Sequence, residues 1–109
     1  MADGLTISNF LQMALTITAT ELGSCDSDNL KGTHTIQAND AASFDVSGHS
    51  GESCHLTASV KDGDGKTRAV FGLTMSDGNP AHIQEFGVQD EDGIRMYQKG
   101  EGNIVIVNK

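Results

Sequence analysis

Apolar and polar residues alternate along most of this chain, and short polar breaks interrupt the alternation. Leu5 and Ile7 begin it, and Leu11, Met13, Leu15, Ile17 and Ala19 continue it at period two. Successive side chains of a strand point to opposite faces, so this spacing predicts strands with one buried side. The first strand is expected over residues 5–9 and the second over 13–21, joined by a turn at 9–12. A helix over 9–15 is the competing reading. The β-branched run Thr16-Ile17-Thr18-Ala19-Thr20 favours the strand.

The clearest hairpin lies in the middle of the chain. Leu56, Ala58 and Val60 alternate with Thr57, Ser59 and Lys61, and a second run covers 66–73. There Thr67, Ala69, Phe71 and Leu73 should share one face, with Arg68, Val70, Gly72 and Thr74 on the other. Asp62-Gly63-Asp64-Gly65 supplies the turn, because Gly accepts positive φ and Asp bonds back to its own backbone. Two runs this close must pair antiparallel, since a parallel pair needs a crossover of a dozen or more residues.

Other segments follow the same grammar. Residues 22–32 read as a polar loop, 33–37 as a short strand, 38–40 as a turn, and 42–46 as a strand carrying Phe44 inward. Residues 47–53 read as a Gly/Ser loop, and 75–81 as a turn region around Ser76-Asp77-Gly78-Asn79-Pro80. Residues 82–89 form a strand with Phe86 and Val88 on one face and Ile83 and Glu85 on the other. Asp90-Glu91-Asp92-Gly93 is a second acidic loop. The strand over 94–98 places Ile94 and Met96 together and Tyr97 opposite. After a turn at 99–102, the last strand covers 103–108. It is apolar on both faces from Ile104 to Val107, so it should be central or covered. About nine short strands at this spacing predict an all-β, antiparallel β-sandwich, with residues 1–109 as a single domain.

Composition narrows the function. The 109 residues include thirteen Gly, one Pro, four Phe, one Tyr and no Trp, so the core must be mostly aliphatic. The formal net charge of −8 opposes nucleic acid, whose phosphates need clustered Lys and Arg. It also opposes electrostatic attachment to anionic lipid, and it suits a basic partner or a divalent cation. The start, MADGLTISNF, lacks the basic and apolar regions of a signal peptide. A cytoplasmic protein is expected, or one secreted without a visible signal. Cys25 and Cys54 should then be reduced, whereas secretion would leave a disulfide between them open.

The order of features resembles the aegerolysins, acidic β-sandwich proteins of fungi and bacteria, and more loosely the actinoporin-like sandwiches. The matching positions are Ile7 and Asn9, Thr35 and Ile36, Ser43 and Phe44, Gly48, the hairpin from Leu56 to Leu73, and Gly102 with Ile104. The resemblance implies a sandwich that recognises lipid or a cell surface. The chain departs from it in having no Trp: Thr74-Met75-Ser76-Asp77-Gly78-Asn79-Pro80 stands where many aegerolysins carry a Trp-Asp-Cys-Pro-Trp segment. Asn39-Asp40-Ala41-Ala42-Ser43 resembles the start of the βγ-crystallin calcium motif, with Phe44 in place of its last Ser.

Candidate chemistry centres on the acidic loops. Asp62 and Asp64, with Asp90, Glu91 and Asp92, offer the hard oxygen ligands that Ca²⁺ takes. The plainer reading is a pair of solvated hairpin turns. His49, Cys54 and His55 form a soft-ligand cluster that Zn²⁺ would need Cys25 or His34 to complete. Adjacent Cys54 and His55 should point to opposite faces, which favours a buried thiol beside an exposed imidazole. The same Cys and His caricature a thiol nucleophile, but no local motif supports one. Ser47, Ser50 and Ser53 read as loop residues, and GHSGES lacks the Lys of a phosphate loop. The Thr16, Thr18 and Thr20 face is ordinary sheet surface or the contact of a homodimer. The expectation is a non-enzymatic binding module for membrane lipid or a protein partner. The alternative is a Ca²⁺-binding or structural sandwich.

Overall fold

Nine strands carry the alternation in the computed structural model, which describes residues 5–21, 32–44, 53–76 and 82–109. They are β1 (Leu5–Asn9), β2 (Leu15–Glu21), β3 (Thr33–Ile36), β4 (Asp40–Phe44), β5 (Ser53–Lys61), β6 (Thr67–Ser76), β7 (His82–Gln89), β8 (Ile94–Gln98) and β9 (Asn103–Asn108). They form a four-stranded sheet in the order β4-β1-β9-β8 and a five-stranded sheet in the order β3-β2-β5-β6-β7. The all-β, two-sheet architecture is the expected one. No helix among the described residues is long and apolar enough to cross a membrane.

The two inner faces make the core. Leu5, Ile7, Phe44, Ile94, Met96, Ile104 and Ile106 come from the smaller sheet, and Leu15, Ile17, Ile36, Leu56, Ala58, Val60, Phe71 and Leu73 from the larger. Alternation assigns most of these inward; it gives Ile36 no face, and Ile104 and Ile106 belong to the run read as apolar on both faces. β9 is central, flanked by β1 and β8, as its two apolar faces required. Val105, on its outer side between Ser8 and Tyr97, is only 2% exposed.

One pairing departs from the antiparallel rule. β1 and β9 run parallel, with Ile7 opposite Ile104. The crossover that a parallel pair requires is here nearly the whole chain. Two bulges also correct the face assignments. Thr74 lies opposite Glu85 and Met75 opposite Ile83, so Gln84 is the extra residue. The bulge turns Ile83 inward, 6% exposed, onto the same side as Phe86 and Val88 rather than beside Glu85. In the hairpin, Val60 lies opposite Ala69 and Lys61 opposite Thr67, which leaves Arg68 unopposed. Thr67 therefore leaves the inner face and is exposed.

Strand ends shift where tertiary contacts outweigh local signals. β2 starts at Leu15, because residues 11–13 bend to return along the core. β4 is Asp40–Phe44 rather than 42–46, and Val46 lies outside the described residues. β6 extends through Met75, which is fully buried instead of opening a turn. Of the expected loops at 22–32 and 47–53 and the turn region at 75–81, residues 22–31, 47–52 and 77–81 also lie outside the described residues.

Candidate functional site

The two acidic loops meet. The alternation that buries Leu56, Ala58 and Val60 also carries Asp62 inward, where it is 6% exposed. Its Oδ1 accepts the backbone N–H groups of Asp64 (2.9 Å) and Lys66 (3.0 Å), and its Oδ2 accepts Arg68 Nε at 2.8 Å. The Arg68 bulge is what lets the guanidinium turn back to that carboxylate. Arg68 also donates to the Asp92 carbonyl at 3.2 Å, and Lys66 Nζ sits 2.8 Å from Asp92 Oδ2. The Asp92 N–H returns a bond to the Arg68 carbonyl at 2.8 Å. The Arg68 hydrogen bond, helped by the two backbone N–H groups, holds the Asp62 carboxyl below the usual range against the opposing effect of burial. The Lys66 ammonium does the same for Asp92.

Of the five candidate calcium ligands, the structure thus brings Asp62 and Asp92 into one brace with two cations between them. Glu91 turns elsewhere: its Oε2 accepts the Met96 N–H at 2.9 Å. Asp64 and Asp90 are exposed, and Asp90 holds a left-handed φ of 56°. No group of three or more His, Cys, Asp or Glu side chains among the described residues is placed to hold a metal ion.

Cys25 and His49 lie outside the described residues, as do Ser47 and Ser50. The backbone of Cys54 lies in β5 opposite Met75. His34 sits edge-on to Phe44, with ring centroids 5.3 Å apart. The crystallin-like stretch forms the β3–β4 connection. There Asn39 takes φ 57°, its N–H donates to the Leu11 carbonyl, and Asp40 Oδ1 accepts the Ala41 N–H at 2.8 Å.

Asn9 is the polar residue that alternation should have marked. Leu5 and Ile7 face the core, so position 9 does too, and Asn9 is 1% exposed. Its Nδ2 donates to the carbonyls of Met13 (2.9 Å), Ile36 (3.2 Å) and Gln37 (3.2 Å), and its Oδ1 accepts the Leu11 N–H at 2.9 Å. One amide therefore joins the end of β1, the 11–13 bend and the end of β3.

A groove of about 490 Å³ opens on the outer face of the five-stranded sheet. Register explains it. Gly72 on β6 lies directly opposite Gly87 on β7, so two adjacent outward positions carry no side chain. On one side stand His55, Thr74 and Glu85, a row set by the β5–β6 and β6–β7 pairings. His55 Nδ1 and Thr74 Oγ1 are 3.0 Å apart. On the other side stand Val70 and Gln89, and Thr57 extends the floor toward β5. Neither glycine is required by the described part of the chain. Neither has positive φ. Among the described residues, a Cβ on Gly87 would meet nothing within 4 Å, and one on Gly72 would make ordinary contacts at 3.6 Å. Both glycines are visible in the sequence, but only the register shows them side by side.

The outer face of the smaller sheet carries the exposed large hydrophobics of the described residues, Phe10 (57% exposed) and Tyr97 (41%). Phe10 follows Thr6 and Ser8 on the outward side, and its N–H bonds to the Ile106 carbonyl. Tyr97 lies opposite Val105. No family model matches the chain, and no curated protein is significantly similar to it.

Proposed function

We propose that this chain is a non-enzymatic binding module that presents the outer face of its five-stranded sheet to a ligand. The observation that carries the reading is the groove over Gly72 and Gly87. Glycine inside a strand costs about 0.5–1 kcal/mol relative to alanine. Two in register, where neither backbone nor neighbours demand them, are accounted for by something outside the chain that must come close to the sheet. Its volume falls in the range of ligand sites, and its rim combines an imidazole, hydroxyls, an amide and a carboxylate. The test is a two-dimensional ¹⁵N–¹H NMR screen with a mixed library of polar fragments. Shifts should cluster at Thr57, Val70, Gly72, Thr74, Gly87 and Gln89. Shifts spread evenly over both sheets, or none at all, would remove this reading.

A second reading is favoured by Phe10 and Tyr97. Recognition of lipid or a cell surface, the property implied by the aegerolysin resemblance, would use the outer face of the smaller sheet, where both are exposed. With a formal net charge of −8 the lipid would be zwitterionic rather than anionic. Co-sedimentation with phosphatidylcholine vesicles that Phe10→Ala and Tyr97→Ala together abolish is the result expected of it. Unchanged sedimentation in that double variant would exclude this face.

A further inference from the structure

We propose that the groove receives an extended basic peptide, which adds as a strand along β7 and lays a Lys or Arg side chain across Gly87 against Glu85. This rests on the reading of the groove as the ligand site and names its ligand class.

Three observations converge on it. The first is the edge. β7 ends the five-stranded sheet, and its far side pairs with no strand among the described residues. It has eight residues, against four in β3, five in β4 and five in β8, the other edge strands. Protein edges are usually blunted by shortness, Lys, Pro or a bulge. The sequence HIQEFGVQ has neither Lys nor Pro, and its bulge at Gln84 lies near the start. The stretch from Glu85 to Gln89 remains regular, and it is the stretch that borders the groove. An exposed edge of this kind recruits a peptide through main-chain hydrogen bonds, and flanking pockets select alternate side chains.

The second observation is the missing side chain. A peptide strand beside β7 projects every second residue over the outer face. The residue opposite Gly87 would find open space where every other β7 position offers a side chain. A long side chain can therefore lie inward across Gly87 and Gly72 instead of standing off the sheet.

The third is charge. The groove contains Glu85 and no Lys or Arg, and Glu85 has no ion-pair partner among the described residues. The other carboxylates near cations, Asp62 and Asp92, are already engaged by Arg68 and Lys66. A formal net charge of −8 further steers a cationic peptide toward the protein.

The test uses a fluorescein-labelled, end-capped heptapeptide of alternating lysine and threonine, with affinity read by fluorescence anisotropy at physiological salt. Gly87→Val fills the groove with a residue that suits a strand. It should weaken binding at least about tenfold while the thermal midpoint holds or rises. Glu85→Gln should weaken it by about fivefold, the scale of one partly solvated ion pair. Asp40→Asn removes the same charge on the opposite sheet and keeps the Oδ1 acceptor for Ala41, so it should change binding less than about twofold. The peptide with N-methyl groups on alternate amides of one edge should lose binding, because it cannot continue the ladder.

Equal weakening by Glu85→Gln and Asp40→Asn would reduce the effect to net charge and overturn the proposal. So would full binding by the N-methylated peptide, or a dimer of this chain that Gly87→Val breaks. If the peptide fails to bind while fragments still shift the groove resonances, the ligand class falls and the binding site stands. If neither binds, both fall.

Discussion

Asn9→Ala tests whether one buried amide holds three segments of the chain together. The substitution removes two N–H donors shared among three carbonyls and one acceptor, with contacts of 2.9–3.2 Å. Two of the abandoned partners, the Ile36 carbonyl and the Leu11 N–H, are buried. The Met13 and Gln37 carbonyls are part-buried and can recruit water. A buried group left unsatisfied costs about 1–3 kcal/mol, and with a smaller loss at the other two the total comes to about 3–6 kcal/mol. For a chain of this length, about 4 °C of Tm per kcal/mol gives a fall of roughly 12–24 °C. Urea unfolding followed by far-UV circular dichroism measures it directly. A change of less than about 1 kcal/mol would show that the amide is incidental to stability.

Asn9→Asp sharpens the test because it keeps the shape and the acceptor for Leu11. At neutral pH it sets a buried carboxylate against three carbonyl oxygens, so it should be worse than alanine. Protonation restores one donor and removes the charge. The folded-state pKa of this carboxyl must therefore lie above its unfolded value of about 3.9. Its favourable contribution is then complete below about pH 4 and is lost as pH rises through the folded value. The gap between Asn9→Asp and Asn9→Ala should narrow or reverse on acidification. A gap independent of pH would refute the geometry.

Three further outcomes follow from the loops and bulges. Asp62 and Asp92 have depressed folded-state pKa values, so the stability they contribute is present above their unfolded pKa of about 3.9 and is lost as pH falls through the folded values. Arg68→Met should therefore flatten the acid side of the urea-midpoint profile, and a profile parallel to the unsubstituted protein would contradict the brace. Millimolar CaCl₂ after EDTA should leave the thermal midpoint within about 1 °C, because Asp62 and Asp92 already face Arg68 and Lys66 and Glu91 is turned to the Met96 N–H. A rise of several degrees, abolished by Asp92→Ala, would restore the calcium reading. Deleting Gln84 should leave an unbulged strand in which Ile83 still faces inward opposite Met75, so stability should change by less than about 1 kcal/mol. A fall in the urea midpoint worth about 1.5–3 kcal/mol, the burial of one such side chain, would mean that Ile83 had left the core and that Gln84 is not the extra residue.

The parts of this fold that local chemistry decides were readable in the chain. β1, β7, β8 and β9 have the boundaries that alternation and turn residues predict, and β9 is central because Ile104 to Val107 is apolar on both sides. What could not be read depends on partners distant in sequence. The bulges at Gln84 and Arg68 invert a face only because β6 and β5 lie opposite them. The parallel β1–β9 pairing joins the two ends of the described chain, and no local pattern encodes it. Met75 looked like the start of a turn because Ser76-Asp77-Gly78-Asn79-Pro80 follows it, yet its burial against Ile83 prolongs the strand. The site divided in the same way. The acidic loops are conspicuous as a list of carboxylates. That Lys66 and Arg68 neutralise two of them, and that Gly72 meets Gly87, is information carried by register.

Register is also what the polar clusters control. The core is largely aliphatic, and Phe71 and Phe86 form its one phenylalanine pair among the described residues, with centroids 6.1 Å apart. A one-residue slip would expose such a core, but a two-residue slip would keep every Leu, Ile and Val facing inward, so apolar burial alone discriminates weakly against it. Polar partners discriminate strongly. A two-residue slip of β6 against β5 would separate Asp62 from Arg68 and leave a buried carboxylate unpaired, and a slip of β1 would do the same to Asn9. Both clusters lie at the same end of the sandwich, where the end of β1, the end of β3, the β5–β6 turn and the β7–β8 turn converge. That end fixes the alignment of β5 with β6, which with the β6–β7 pairing sets the row His55, Thr74, Glu85. The acidic loops bear on the groove in this way: their ion pairs hold the register on which its outward row depends.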